Sequence, residues 1–296
     1  MSEKLRQMAL PHCPSCKTSS RKKKYQLKES VLYECLDCRL RYLDPCLDPA
    51  SMKKAYESDQ SLAALHNFHE GYYDYGDLQT PSRTLSDFKR GLGILEDLRP
   101  QKGTVLDVGF GNGLFLAAAR ERGWDVRGID SSLVNGQTAK RKFGLDLELS
   151  GFEDYDPCET FDVISFWDVI EHLPDPGTAL QKASRLLKPG GLVLIAVPND
   201  YSLLAQLAGF FYRLGIQRTV NKIYFLEHVT YYGPNTLRKL LETNGFFLRN
   251  QFTTSTDLAK YALPKKDKLI AGAVLFTGKH LGLQNRLVAV FQKKNL

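Results

Sequence analysis

The sequence predicts an α/β fold, a mostly parallel sheet with helices on both faces, preceded by a small ribbon held by metal. Three observations predict it. From Thr104 onward, short apolar strands alternate with amphipathic helices. Glycines recur at every second position past the first strand, in Val105-Leu106-Asp107-Val108-Gly109-Phe110-Gly111-Asn112-Gly113. Two Cys-x-x-Cys pairs stand near the N-terminus. The chain has 296 residues, 43% of them apolar, enough for one large core with a small satellite.

The ribbon comes first, over residues 1–50. Cys13-Pro14-Ser15-Cys16 is followed, after 18 residues, by Cys35-Leu36-Asp37-Cys38. Two such turns bring four soft thiolates to the corners of a tetrahedron, which suits Zn²⁺. A closed four-thiolate site leaves no position for substrate, so the zinc is expected to be structural. Redox use and disulfides are the competing readings of the cysteines. Tyr25, Leu27, Val31, Leu32 and Tyr33 favour a hairpin between the turns. His12 is surplus to a complete ligand set, and Cys46 reads as an ordinary buried thiol. Net charge is +7, and the first 54 residues hold 12 Lys or Arg against 6 Asp or Glu. Arg21, Lys22, Lys23 and Lys24 are consecutive. Such a cluster can meet a polyanion or an anionic membrane, or simply be a solvated loop.

Residues 51–100 read as a mostly helical linker, broken at residues 71–81. Tyr72, Tyr73, Asp74, Tyr75, Gly76 and Asp77 in that break suit either a lid over a pocket or an aromatic-rich loop. A helix is expected over residues 85–98, ending before Pro100. The main domain, residues 101–296, then runs as strands at 104–108, 125–129, 145–149, 161–166 and 192–197. Helices are expected at 113–122, 133–143 and 177–187. The stretch 200–233 interrupts the alternation with an apolar, aromatic helix at 203–214, suited to a pocket wall. A helix at 234–244 leads to strands at 246–252 and 287–291, which pair as a late antiparallel hairpin.

The glycine run lets the backbone turn tightly and approach a ligand closely. Asp107 precedes it by two positions. A dinucleotide site wants a helix N-terminus that receives a pyrophosphate. An acidic residue suits a cationic ligand better, and S-adenosylmethionine carries an ammonium and a sulfonium. Asp130, ending the second strand, can accept from both hydroxyls of a ribose, as it also would in an NAD site. Phe152 can lie against an adenine face, and Asp154 can accept from its amino group.

The chain resembles the class I S-adenosylmethionine-dependent methyltransferases, most nearly the quinone, small-molecule and glycan-type branch. The runs that carry this are VLDVGFGNG, RGID, FDVISFWDVIEHLPDP, RLLKPGGLVLIAVPN and EHVTYYGPNTLRKLLETNGF, spanning about residues 103–252. CPSC…YECLDCRLRYLDP resembles a ribbon found before some members. The resemblance implies a seven-stranded Rossmann-like sheet with its last strand antiparallel. It implies that Asp107, Gly109, Gly111 and Gly113 line the methionine end, Asp130 holds the ribose and residues 151–154 flank the adenine. Phe166 and Trp167 then lie near the cofactor. Phe110 departs from the usual small residue and is expected to face away.

Methyl transfer needs alignment of nucleophile, methyl and sulfur, and a base when the acceptor carries a proton. His172, in Trp167-Asp168-Val169-Ile170-Glu171-His172, follows the fourth strand and is one candidate base. His228, in Glu227-His228 within the inserted segment, is the other. The competing reading makes Glu171 and His172 structural. Tyr201, Tyr231 and Tyr232 are lesser pocket candidates. No Asn-Pro-Pro-Tyr follows the fourth strand, where Ser165-Phe166-Trp167-Asp168 stands, which disfavours adenine methylation in DNA. Cys158 lacks the surroundings of a cytosine methylase nucleophile.

The expected activity is methyl transfer to oxygen or carbon of a small, lipid-linked or sugar-linked acceptor. The alternatives are an RNA methyltransferase docking through the basic ribbon, a noncatalytic cofactor-binding module and an NAD-dependent oxidoreductase. No apolar run reaches the ~20 residues of a membrane span, and the first residues lack a secretory signal, so a cytoplasmic protein is expected. Oligomeric state is not readable from the sequence.

Overall fold

Residues 5–55, 76–258 and 264–294 are described in the computed structural model. A short first strand, β1 (Gln7–Met8), pairs antiparallel with the later β5 (Cys46–Leu47). Between them β2 (Arg21–Gln26), β3 (Val31–Cys35) and β4 (Arg41–Asp44) form an antiparallel sheet, and β2 and β3 are the expected hairpin. The basic run of β2 is folded against carboxylates. Buried Glu34 lies 3.2 Å from Lys22, 3.3 Å from Lys24, 2.8 Å from Arg39 and 3.4 Å from Arg41. Arg21 meets Asp44 at 2.6 Å. Much of the positive charge seen in the sequence is thus answered inside the ribbon.

A short helix, α1 (Pro49–Ala55), follows. Residues 71–75 of the expected break and lid, and the helical reading of residues 56–70, lie outside the described residues. From Gly76 the chain makes a turn in which Asp77 Oδ1 accepts from the Gln79 and Thr80 amides. Ser82 then caps α2 (Arg83–Leu98), accepting from the Leu85 amide at 3.1 Å.

The main sheet begins with β6 (Thr104–Val108), and α3 (Leu114–Glu121), β7 (Asp125–Asp130) and α4 (Leu133–Phe143) continue the alternation. Then come β8 (Glu148–Leu149), β9 (Phe161–Trp167), α5 (Pro176–Leu186) and β10 (Leu187–Pro198). The period-two alternation of each strand sends neighbours to opposite cores. Val105 and Val163 pack with α2 and α3, while Leu106 and Ile164 pack on the other face. Each such fully buried aliphatic side chain contributes roughly 1.5–3 kcal/mol. β10 starts five residues earlier than the sequence pattern indicates. Leu187 already pairs with Phe161, and an irregularity at Pro189-Gly190-Gly191, with Gly190 at φ 68°, precedes the regular ladder from Leu192. The third strand is correspondingly shorter than expected, only Glu148–Leu149.

Past β10 the chain forms α6 (Leu203–Arg213), α7 (Arg218–Asn221), β11 (Thr230–Tyr231) and α8 (Pro234–Thr243). It closes with β12 (Phe246–Thr254), α9 (Lys265–His280) and β13 (Arg286–Lys293). The sheet order is β12-β13-β10-β9-β6-β7-β8, and β13 runs antiparallel to both its neighbours. This is the expected seven-stranded arrangement, with helix α9 in the long connection of the late hairpin.

The ribbon is joined to the inserted segment through backbone. β11 pairs antiparallel with β4, so Thr230 faces Tyr42 and Tyr231 faces Arg41. The Leu43 amide donates to the Val229 carbonyl, and the Gln26 amide to Tyr212 Oη. Arg41 reaches across to Asp200 at 2.7 Å. Leu32, Leu43 and Leu47 of the ribbon share one core with Ala208, Val220 and Tyr224 of the insertion.

Candidate methyl-transfer site

The loop after β6 takes its shape from glycine. Gly109 has φ 71°, and its amide donates to the Ile129 carbonyl at 2.8 Å. A Cβ at Gly109 would stand 2.6 Å from Val169 Cγ2, so the close approach of two loops excludes any side chain. Gly113 serves another purpose than the sequence implies. It caps α3 in the left-handed region, and a Cβ there would meet Ala139 of α4 at 2.8 Å. It is a packing glycine between helices and not part of the pocket wall. Phe110 is buried, its ring packed at Gly128.

Two carboxylates flank the loop. Asp107 is buried and accepts from Ser165 Oγ at 2.7 Å. Burial pushes its carboxyl up to about 8, the Ser165 bond opposes this and the nearby Asp130 adds to it. Asp130 accepts from the amides of Gly111 (3.0 Å) and Ser132 (2.8 Å) and from Asn135 Nδ2 (3.1 Å), so it ties the glycine turn to the start of α4. Burial raises its pKa as well, against the pull of those bonds.

Phe152 lines the same cavity and meets Phe166 edge-on at 5.5 Å. Phe166 itself is fully buried behind it and does not reach the wall. Asp154 is exposed and does not line the cavity, whereas Glu153 beside it does. Trp167 lines it too, wedged against Phe88 and Phe115 with ring centroids 4.6 and 5.4 Å away.

The cavity, about 650 Å³, continues from this half into a second one. There the 3₁₀ turn Ile170–His172 faces the inserted segment. His172 Nδ1 lies 2.9 Å from the Glu227 carbonyl, and the His172 and His228 rings meet edge-to-face at 4.8 Å. The structure therefore brings together the two histidines singled out in the sequence, 56 positions apart. Tyr231 also lines this half, whereas Tyr232 is buried away from it. The far wall is apolar: Leu204 and Phe211 from α6, and Ile270, Val274 and Leu275 from α9.

Other residues line the site for which the sequence indicates no ligand role, Glu171 among them, which it supports only as structural. Asp168 follows β9 in the left-handed region at φ 56° and pairs with Arg286 of β13 at 2.8 Å. A non-glycine residue there is uncommon and marks a held loop. Asn199 and Asp200, past the end of β10, line the cavity and are buried. Glu171 is 1% exposed, and neither carboxylate oxygen has a hydrogen-bond partner among the described residues. Its pKa is raised well above the usual value by burial, with Asp168 and Glu227 adding to the effect. The position of these groups at strand ends was the available signal, since open sheets collect ligands there.

The four paired cysteines also converge. Cys13 Sγ lies 3.4 Å from Cys38 Sγ, Cys16 Sγ lies 3.5 Å from Cys35 Sγ, and all four fall within 4.8 Å of one another. Disulfide sulfurs would be about 2.05 Å apart, whereas four thiolates on one zinc sit about 3.8 Å apart. The two turns are built alike. Lys17 and Arg39, each following a second cysteine, have φ of 61° and 66°. The Cys13 and Cys35 amides donate to the carbonyls five residues on, of Thr18 and Leu40. The set is able to chelate a metal ion.

Residues 82–251 match the family model described as a methyltransferase domain, more than half of the chain. The ubiquinone biosynthesis O-methyltransferase of Paracidovorax citrulli is 31% identical over 167 residues, which cover 52% of this chain and 70% of that protein. The protein of the same name from Rhodopseudomonas palustris is 28% identical over 169 residues, covering 53% of this chain and 64% of that one. Alignments with further relatives of that name cover less than half of their length. A solved 1,6-didemethyltoxoflavin-N1-methyltransferase from Burkholderia thailandensis superposes with a TM-score of 0.53 at 16% identity. It covers 93% of this chain and 99% of the other, and likeness at that identity speaks for the fold alone. With the family model running from α2 into β12 and the order and direction of all seven strands as that family has them, the chain belongs to the class I S-adenosylmethionine-dependent methyltransferases.

Proposed function

We propose that this methyltransferase methylates a hydroxyl oxygen of a small, lipid-linked aromatic acceptor of quinone type. The single observation that carries the reading is the continuity of the cavity. It runs from the glycine loop, past His172 and His228, to an apolar wall of α6 and α9. The names of the curated relatives point the same way.

In this reading S-adenosylmethionine supplies a methyl group already activated by its sulfonium. Asp107, Gly109 and Gly111 hold its methionine end, Asp130 its ribose and Phe152 its adenine. Trp167 packs beside it. His172 and His228 stand where the acceptor hydroxyl must lose its proton. The oxygen–methyl bond forms as the methyl–sulfur bond breaks, and the thioether departs. The Glu227 carbonyl, 2.9 Å from His172 Nδ1, fixes the orientation of that ring. The four thiolates hold a structural zinc, whose place is to fix β4 and through it β11, two residues past His228.

The outer faces of α6 and α9 support a lipid-linked acceptor. These helices pack together and expose Phe210, Leu214, Leu269, Ile270 and Phe276, the last three between 63% and 77%. Ile270 belongs both to this surface and to the cavity wall, so an apolar tail has a route outward. No helix among the described residues is long and apolar enough to cross a membrane. The RNA reading loses its main support, because Lys22, Lys24, Arg39 and Arg41 already surround Glu34.

The test uses labelled S-adenosylmethionine with phenolic acceptors that carry or lack an isoprenoid tail, alongside total RNA. Label is expected in the tailed phenol, at least ~10-fold above the tail-free one, and lost in His228→Ala. Label confined to a ribonuclease-sensitive polymer would overturn the proposal.

A further inference from the structure

We infer that Asp200 is a specificity-determining residue of the acceptor site, that Arg41 of the ribbon positions it, and that it accepts a hydrogen bond from a hydroxyl on an uncharged acceptor head. The inference rests on the proposed reading of that half of the cavity as the acceptor pocket, and it gives the ribbon a part in choosing the acceptor.

The pair joins segments 159 positions apart in the chain. Arg41 opens β4, and its backbone pairs with Tyr231 of β11, which lines the cavity. Asp200 follows β10, and its amide donates to the Tyr232 carbonyl at 2.8 Å. Both residues are thus tied through backbone to neighbouring positions of one short segment. Arg41 Nη1 then donates to Asp200 Oδ2 at 2.7 Å, and Tyr224 Oη donates to Asp200 Oδ1 at 2.7 Å. The same guanidinium lies 3.4 Å from Glu34 through Nε and 5.6 Å from the Tyr201 ring centroid. Arg41 is therefore held on several sides, and it holds Asp200 in turn.

An ion pair that served only to fasten the ribbon would need no face on the cavity. Of Arg41, Tyr224 and Asp200, only Asp200 lines it, although its side chain is just 2% exposed. An ionised carboxylate offers about four acceptor sites, and Arg41 and Tyr224 use two. The sites left over are offered to the cavity. Burial raises the Asp200 pKa, and the Arg41 charge is the main influence against it. Arg41 thus favours the ionised form that accepts a bond. The surrounding charges sharpen the choice. Asp168, Glu171 and Glu227 line the same cavity, while its cations Lys222 and Arg286 are engaged by Asp267 at 2.7 Å and Asp168 at 2.8 Å. Such a wall accepts from a hydroxyl and repels a carboxylate or phosphate on the acceptor head.

The experiment measures methyl transfer by the full-length protein at saturating labelled S-adenosylmethionine. The probes are an isoprenoid-tailed phenol and the same phenol with an added ring carboxylate. Wild type is expected to prefer the uncharged phenol about 10-fold or more in kcat/KM. Asp200→Asn and Arg41→Met should each raise KM for that phenol about 10-fold or more while kcat stays within about 3-fold, the size of a lost charge-assisted hydrogen bond. Arg41→Lys keeps the charge and should recover most of the KM. Asp200→Asn should also narrow the preference to about 3-fold or less, which the loss of a purely structural pair would not do. Metal analysis and calorimetry with S-adenosylhomocysteine, both unchanged in Asp200→Asn, report the ribbon and the cofactor half separately. Wild-type KM and preference in Asp200→Asn would overturn the inference and leave the acceptor reading standing. So would a joint loss of zinc, homocysteine-analogue binding and kcat, the mark of a pair that only fastens the ribbon. A wild-type protein that labels neither phenol would overturn the acceptor reading and the inference with it.

Discussion

Gly109→Val is expected to reduce S-adenosylhomocysteine binding at least ~100-fold. The residue sits at φ 71°, where a residue with Cβ costs roughly 1–2 kcal/mol and a β-branched one more. The larger effect is steric. A Cβ would stand 2.6 Å from Val169 Cγ2, and Val169 belongs to the loop after β9 that also carries Asp168 and Glu171. Both loops must move apart, and both line the cavity. A suitable control is Gly144→Ala. Gly144 ends α4 at φ 61°, and no atom lies within 4 Å of its would-be Cβ. That variant should lose about 1 kcal/mol of stability and bind normally. Calorimetry on both variants separates a local backbone cost from a blocked site. Normal binding by Gly109→Val would show that the loop does not approach the cofactor as argued.

Removal of the thiolate site is expected to have the second large effect. Cys35→Ser with Cys38→Ser should lose the single zinc expected on the ribbon and leave methyl transfer below about 1% of wild type. Zinc binding in isolated small modules corresponds to roughly 10–16 kcal/mol of folding free energy. Here the ribbon also buries Leu32, Leu40, Tyr42 and Leu43, so the loss should be local rather than global. It should travel through β4 to β11, and through the Leu43–Val229 bond to the residue after His228. Metal analysis with amide hydrogen exchange tests this. Faster exchange is expected in residues 31–44 and 229–231, with little change in β6, β9 and β10. Full zinc content in the variant would contradict the assignment of ligands.

Much of the fold is legible because its signals are local. Thr104–Val108 and Leu133–Phe143 are read to the residue, since a run of apolar β-formers and a Ser132-to-Gly144 capped helix carry their own limits. β10 is misread at its start because Lys188-Pro189-Gly190-Gly191 looks like a loop, while tertiary pairing of Leu187 with Phe161 makes it strand. The site divides along the same line. Asp107, Gly109 and Asp130 are local to one strand–loop–strand unit, and all three line the cavity. Gly113 shares their spacing, but its conformation serves the packing of α3 on α4, which spacing cannot reveal. Asp154 and Glu153 are adjacent acids, and only the turn decides which one lines the cavity. Arg286 reaches Asp168 from 118 positions away, and Glu171 becomes conspicuous only once both oxygens are seen buried without a bond. The basic run Arg21 to Lys24 reads equally as a polyanion site, a membrane contact or a solvated loop in the sequence, because Glu34 and Asp44 come against it only in the fold.

The most direct measurement of the central claim is calorimetry of the intact protein with S-adenosylhomocysteine and, separately, NAD, between pH 6 and 8.5. In the free protein burial holds Asp107 protonated up to about 8. The ammonium of S-adenosylhomocysteine, placed at this carboxyl, favours its ionised form, so binding releases a proton and tightens as pH rises toward that value. The account predicts one S-adenosylhomocysteine per chain with this pH trend, a flat trend in Asp107→Asn, and a loss of about 10–100-fold in Asp130→Ala, as expected for one or two charge-assisted hydrogen bonds. NAD should not bind. Binding of NAD without S-adenosylhomocysteine would contradict it.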